Sequence, residues 1–161
     1  MMRRMRPEDA AAVLDIYRDG IDGRNATFET VVPEWEAWDR RHMSHSRFVF
    51  AEDGGAVLGW VALTPYSSRE AYAGVGEVSV YVRSGAGGRG IGTQLLAAVV
   101  ASSEEHGMWT LFSGIFPENQ ASVRIHLKNG FRILCRRTKI ARLDGVWRDT
   151  LLLERRSERI V

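Results

Sequence analysis

Three segments in direct succession constrain this chain more than anything else in it: an alternating run at 75–82, a glycine-rich stretch at 85–92, and an apolar-striped run at 93–106 closed by Gly107. In the first, Val78, Val80 and Val82 fall on one side and Glu77, Ser79 and Tyr81 on the other, the period of a strand with one core face and one wet face. In the last, Leu95, Leu96, Val99 and Val100 make the stripe of an amphipathic helix. A strand that passes through a glycine loop into a helix leaves unpaired backbone N–H groups at the positive end of the helix dipole. That arrangement suits phosphate or pyrophosphate, so a phosphorylated cofactor is expected. A loop that simply turns a corner is the other reading.

The remaining elements alternate around this unit. Pro7, Glu8 and Asp9 before Val13, Leu14, Ile16 and Tyr17 predict a helix ending near Gly20. Residues 21–32 lack a helical period and read as a loop with an exposed aromatic, Phe28. Trp35, Trp38 and Met43 predict a second helix over 33–45, with its aromatics in the core. Residues 48–52 and 57–64, joined by Asp53-Gly54-Gly55, predict a hairpin. A strand at 109–116, a helix capped by Asn119 and closed by Gly130, and a second hairpin at 134–153 turning at Asp144-Gly145 follow. The tail, 154–159, reads as a charged, solvated end. The order is mixed α and β without repeat or linker, and 161 residues make one domain spanning 1–161.

Composition excludes several classes. A net charge of +2 with arginines scattered along the chain gives no nucleic-acid footprint. No stretch reaches the ~18 apolar residues of a membrane helix, and residues 1–9 carry charges where a signal peptide is apolar, so a cytoplasmic protein is expected. One cysteine rules out an intrachain disulfide, and four histidines at no ligand spacing argue against a metal.

The cofactor is harder to name from the glycines. Gly85, Gly87 and Gly90 satisfy the dinucleotide pattern G-x-G-x-x-G, but a nicotinamide fold places its acidic ribose partner at the end of the next strand. Here Glu104 and Glu105 lie inside the helix, and the next strand ends at Phe116-Pro117. No Walker-type phosphate loop occurs.

Val80-Tyr81-Val82, then Gly88-Arg89-Gly90-Ile91-Gly92-Thr93 leading into Gln94-Leu95-Leu96, resembles the acetyl-CoA signature of the GNAT acetyltransferases. Downstream, Asn119, Ser122, His126, Gly130 and Phe131 are similar to that family's second signature. A closer resemblance, to the phosphinothricin and methionine sulfoximine N-acetyltransferase branch, runs from about Arg3 to Leu153. It is carried by Ala26-Thr27-Phe28-Glu29-Thr30, Arg69-Glu70-Ala71-Tyr72 and Glu77-Val78-Ser79-Val80-Tyr81-Val82.

The resemblance implies an α/β (α+β) GNAT fold, a central mixed, mostly antiparallel sheet flanked by helices. It implies acetyl-CoA as cosubstrate, a small amino-acid-like amine as acceptor, direct transfer and a homodimer. Val80, Tyr81, Val82, Gly88, Arg89, Gly90, Ile91, Gly92, Thr93, Asn119 and Lys128 are thereby expected to bind the coenzyme, with a backbone amide near Val80 as oxyanion donor. Where the family usually has Gln or Arg, this chain has Gly87, which leaves Arg89 and backbone groups to compensate. Phe28, Glu29, Arg69, Glu70, Ala71 and Tyr72 are expected at the substrate, with Arg69 clamping a carboxylate through bidentate hydrogen bonds. Trp60 is read as core.

Transfer needs a neutral amine, and an alkylammonium is largely protonated at pH 7. Glu77, on the wet face beside the glycine loop, is the expected base, against the plainer reading of a solvated carboxylate. His126 reads equally as the acid for the leaving thiolate or as a helix histidine that only hydrogen-bonds. Cys135, near Arg132, Arg136 and Arg137, offers an acetyl-cysteine relay, but a plain buried cysteine is the stronger reading. A peptide N-acetyltransferase and a non-catalytic acyl-CoA sensor of the same fold stay open.

Overall fold

The computed structural model describes residues 1–161. Its strands are β1 (Met2–Arg4), β2 (Phe48–Ala51), β3 (Val57–Pro65), β4 (Val75–Val82), β5 (Thr110–Ile115), β6 (Arg132–Leu143) and β7 (Val146–Arg156). The helices are α1 (Ala10–Asp22), α2 (Trp35–Arg41), α3 (Ile91–Glu105) and α4 (Gln120–Lys128). One sheet runs β1-β2-β3-β4-β5-β7-β6. Every neighbouring pair is antiparallel except β4 with β5. The mixed, mostly antiparallel sheet expected from the sequence is therefore present.

The sheet is covered on both faces, by two cores. Leu95, Leu96 and Val99 of α3 pack with Val61, Leu63 and Val78 on one face. Val13, Ile16 and Tyr17 of α1 and Trp38 of α2 pack with Val49, Trp60 and Ala62 on the other. The second face of β4 is thus not simply wet. Tyr81 stacks on Trp60 at 4.9 Å and lies 5.1 Å from Tyr17, although Glu77, Ser79 and Tyr81 all also border a cavity. Strand alternation could not show this, because a tyrosine counts as polar in the pattern yet buries its ring readily.

Other departures have equally local causes. Helix α1 begins after a 3-10 turn at Pro7–Asp9 and runs through Gly20 to Asp22. Gly20 marks a close approach and not a stop: a Cβ there would sit 2.6 Å from the Tyr81 ring. Phe28 is half-buried and packs edge-on against Phe116 at 4.9 Å. Cys135 is exposed, not buried, because β6 is the outermost strand and Arg132 through Ile140 all face solvent. The tail is docked. Arg155 and the Ser157 hydroxyl each donate to Glu104 Oε1 at 2.9 Å, and Ser157 is buried. In the β6–β7 turn Asp144 (φ 51°) and Gly145 (φ 78°) both take the left-handed conformation that a two-residue hairpin requires.

Strand β1, too short to show a period, carries one consequential side chain. Arg3 donates to both Asp9 carboxylate oxygens at 2.8 Å, and the Arg6 backbone N–H adds a third bond at 2.8 Å. Asp9 is buried, and the Arg3 guanidinium holds its carboxyl below the usual range against the opposing effect of burial. Asp9→Asn is expected to lower stability by about 1–3 kcal/mol in urea denaturation at neutral pH. Because the native pKa is depressed, that stabilisation is complete above the unfolded value of about 4 and is lost as pH falls through the native one. The gap between wild type and variant should therefore narrow in strong acid.

Candidate active site

Strands β4 and β5 pair only over Val75–Glu77 with Thr110–Phe112 and then part. Strand β4 continues to Val82, while β5 stays with β7 to Ile115. Beyond the fork one edge of β4 has no partner. Val75 O accepts from Tyr66 N on the β3 side, and Arg83 N donates to Leu58 O on that same side. Alternation along the strand then turns the N–H and C=O groups of Val78, Val80 and Val82 toward the open edge.

The fork opens a cleft of two chambers, about 500 and 450 Å³, which share Ala26, Val80, Tyr81, Asn119 and Ser122. The smaller is the glycine chamber. Gly90, at φ 75°, turns the chain into α3 and stands at its N-cap. The first-turn N–H groups of Ile91, Gly92 and Thr93 have no partner inside the helix. Helix α4 crowds in from the far side: a Cβ on Gly92 would lie 2.9 Å from Ile125. Asn119 caps α4 by accepting from Ser122 N at 3.2 Å, and its amide donates to Asn25 O at 3.0 Å, tying α4 to the α1–α2 loop across the cleft.

Of the residues expected at the coenzyme, Val80, Tyr81, Val82, Gly88, Gly90, Ile91, Gly92, Thr93, Asn119 and Lys128 line this chamber. Arg89 does not; it turns outward to Glu52 at 3.2 Å. Gly87 is part of the wall, and the cation that accompanies Lys128 is Arg124, one helical turn earlier on α4. Sequence reasoning passed over Arg124, although its i,i+4 spacing from Lys128 puts both on one helix face.

The larger chamber holds Glu77, His126, Phe28 and Glu29 together. Glu77 is half-buried, and desolvation raises its pKa, partly offset by the Arg137 guanidinium. His126 is 1% exposed. Its Nδ1 lies 2.7 Å from the Ser122 carbonyl, which can only accept, so Nδ1 carries the proton and the buried, unpartnered Nε2 is bare. Burial lowers its pKa, outweighing the Ser122 hydrogen bond, which raises it. The ring therefore rests neutral, with its free nitrogen as an acceptor, which favours the hydrogen-bonding reading over the acid. Arg69, Glu70, Ala71 and Tyr72 do not line the chamber. They form an exposed turn beyond Pro65, joined to it through Tyr66, which packs on Tyr72 at 5.3 Å and on Phe112 at 5.4 Å. Two wall residues with no signal in the sequence, Arg41 and His42, come from the end of α2.

Residues 13–131 match the Acetyltransferase (GNAT) family. The chain belongs to that family. It is 32% identical over 155 residues to the phosphinothricin N-acetyltransferase of Streptomyces coelicolor, covering 92% of this chain and 91% of the relative. It is 29% identical over 151 residues to the L-methionine sulfoximine/L-methionine sulfone acetyltransferase of Pseudomonas aeruginosa, covering 91% and 88%. A GNAT superfamily phosphinothricin acetyltransferase from Sinorhizobium meliloti, solved with AcCoA, shares the fold at a TM-score of 0.87, with 24% identity over 97% of this chain and 87% of that one.

The GNAT coenzyme, acetyl-CoA, meets a matching donor set in the glycine chamber. Helix-end N–H groups and two cations suit its phosphates, and the open β4 edge offers hydrogen bonds to its extended arm. Arg124 and Lys128 are both exposed and neither makes an ion pair, so their charge is free for a ligand. Arg124→Ala and Lys128→Ala are each expected to weaken coenzyme A binding by about 0.5–1 kcal/mol, read by calorimetry, with the loss shrinking as salt is raised.

Proposed function

We propose that this GNAT enzyme acetylates the α-amine of a small amino-acid analogue of the methionine sulfoximine, methionine sulfone or phosphinothricin type. The observation that carries the reading is the juxtaposition of the two chambers. The glycine chamber ends at Val80, and the adjoining chamber contains one half-buried carboxylate within reach of the same strand edge. The named substrates of the two relatives, aligned over about nine-tenths of the chain, supply the acceptor class.

Acetyl-CoA supplies the acetyl group as an activated thioester. Glu77, its pKa raised, takes the proton of the bound ammonium directly or through water and so frees the lone pair for attack. The Val80 N–H, pointing into the cleft, is placed to stabilise negative charge developing on the acyl oxygen. His126, neutral with a bare Nε2, stands in the wall as an acceptor and not as a proton donor. The substrate carboxylate falls to the cationic mouth, between Arg41 on the wall and Arg69 on the turn beyond it. Phe28 and Glu29 close the loop side.

Steady-state kinetics with methionine sulfoximine, methionine sulfone, phosphinothricin, common amino acids and short peptides test the reading. Turnover of the first three is expected, and turnover of peptides alone would overturn the acceptor class. Glu77→Gln should lower kcat by roughly 100- to 10,000-fold with coenzyme binding intact. Because the base works ionised, wild-type kcat/KM should fall as pH drops through a value above the ordinary carboxylate range. An unaltered KM for the amino acid in Arg69→Ala would remove that turn from the site.

We also propose a homodimer in the cytoplasm. Strand β6 is a long exposed edge bearing Ile133, Leu134 and Ile140, and the adjoining hairpin exposes Val146 and Trp147. Such an edge pairs readily with another strand. No helix is long and apolar enough to cross a membrane. Sedimentation equilibrium should give twice the chain mass and the monomer mass for Trp147→Glu, and cell fractionation should recover the enzyme in the cytosol.

A further inference from the structure

The acceptor chamber contains a histidine that the mechanism above leaves unused. His42 follows the last turn of α2 and is held on several sides. Its ring stacks on Trp38 at 3.9 Å, Trp35 also stacks on that indole at 4.8 Å, and the His42 ring meets Trp60 edge-on at 6.1 Å. Arg47 pins the backbone around it, donating to His42 O at 2.8 Å and to Met43 O at 2.6 Å. Met43 N in turn donates to Leu63 O at 2.8 Å, fixing the segment to β3.

This clamp determines which nitrogen faces the cavity. Nδ1 lies 2.6 Å from the Trp38 carbonyl, which has no proton to give, so Nδ1 is the protonated nitrogen. Nε2 has no hydrogen-bond partner in the chain and is not sealed in the interior, and the residue lines the acceptor chamber. Burial, with Arg47 and Arg41 nearby, pushes the imidazole pKa down to about 4. At physiological pH the ring therefore offers a bare lone pair on a fixed scaffold.

The sheet register ties the wall that His42 packs on to the strand that carries Glu77. Trp60, beneath the His42 ring, lies opposite Tyr81, and along the same face Thr64 lies opposite Glu77. Both Thr64 and Glu77 border the chamber with His42. We propose that His42 is an amine-binding residue: its Nε2 accepts one N–H of the substrate amine while Glu77 removes another. The proposal rests on the reading of this chamber as the amine site.

A neutral acceptor suits that task better than a second carboxylate. An opposite charge within about 4–6 Å raises the pKa of an ammonium by roughly 1–3 units, opposing the deprotonation the reaction needs. A neutral imidazole nitrogen accepts from both the ammonium and the amine, and its dipole favours the charged form less than a full negative charge does. With one N–H on Nε2 and a proton gone to Glu77, the direction of the nucleophilic lone pair is set.

Two measurements on the full chain test this. His42→Phe keeps a ring against Trp38 but removes the acceptor, and His42→Gln restores an acceptor without the ring. For the phenylalanine variant, kcat/KM for the amine is expected to fall roughly 10- to 100-fold while KM for acetyl-CoA stays within about twofold, with partial recovery in the glutamine variant. Wild-type activity matched by His42→Phe would overturn the proposal while leaving the amino-acid reading intact. Histidine ¹⁵N NMR of the wild type gives an independent readout. A bare Nε2 and protonated Nδ1 are expected in the free protein, with the Nε2 resonance moving when methionine sulfoximine is added beside coenzyme A. A protonated Nε2 in the free protein would overturn the proposal whatever the substrate proves to be. Absence of wild-type turnover across the amino-acid panel would instead count against the substrate reading.

Discussion

The parting of β4 from β5 after Glu77 and Phe112 is the constraint on which the rest of the site depends. A strand edge inside a folded chain carries backbone groups that are costly to leave without partners. Here those of Val78, Val80 and Val82 face the cleft. The fork is held open from both sides: β5 is committed to β7 along its length, and α4 is tied through Asn119 to the loop after α1. In the proposed reading, helix-end N–H groups at one end of the open edge and the Glu77 carboxylate at the other make it a track for a thioester arm.

Electrostatics divide the cleft in the same way. The glycine chamber is cationic, with a helix N-terminus, Arg124 and Lys128 on its walls. The acceptor chamber instead combines a carboxylate with a raised pKa and two histidines whose pKa values are lowered by burial. Each histidine has Nδ1 on a carbonyl of its own helix one turn earlier, Trp38 for His42 and Ser122 for His126. The same local device therefore fixes both tautomers. It leaves Glu77 as the group in that chamber suited to taking a proton near neutral pH.

The two cores explain how a short chain holds such a cleft. The α3 face supplies a conventional aliphatic core, while the α1–α2 face is aromatic, with Tyr17, Trp38, Trp60 and Tyr81 in mutual contact. Aromatic side chains bury large areas with few rotatable bonds, so the rings of Tyr17 and Tyr81 that line the acceptor chamber are backed by a packed aromatic layer. Gly20 is the geometric concession, since α1 could not approach Tyr81 with any side chain at that position.

The sequence by itself determined what depends on neighbours along the chain. The order of elements after β1, the glycine turn into α3, the Asn119 cap, both hairpins and most of the β4 and glycine-loop lining of the smaller chamber were legible because strand and helix periods, caps and turns are local physics. What lay beyond it were properties of meeting surfaces. Arg89 turns out of the chamber toward Glu52, Cys135 looked buried until β6 proved to be an edge, and Tyr81 looked wet until α1 covered it. His42 could not be singled out at all, because its role follows from a carbonyl one turn back, a tryptophan stack and a strand reached only after folding. Only the tertiary structure decides which polar groups lose water, and desolvation is what shifts Glu77 upward and keeps both histidines neutral.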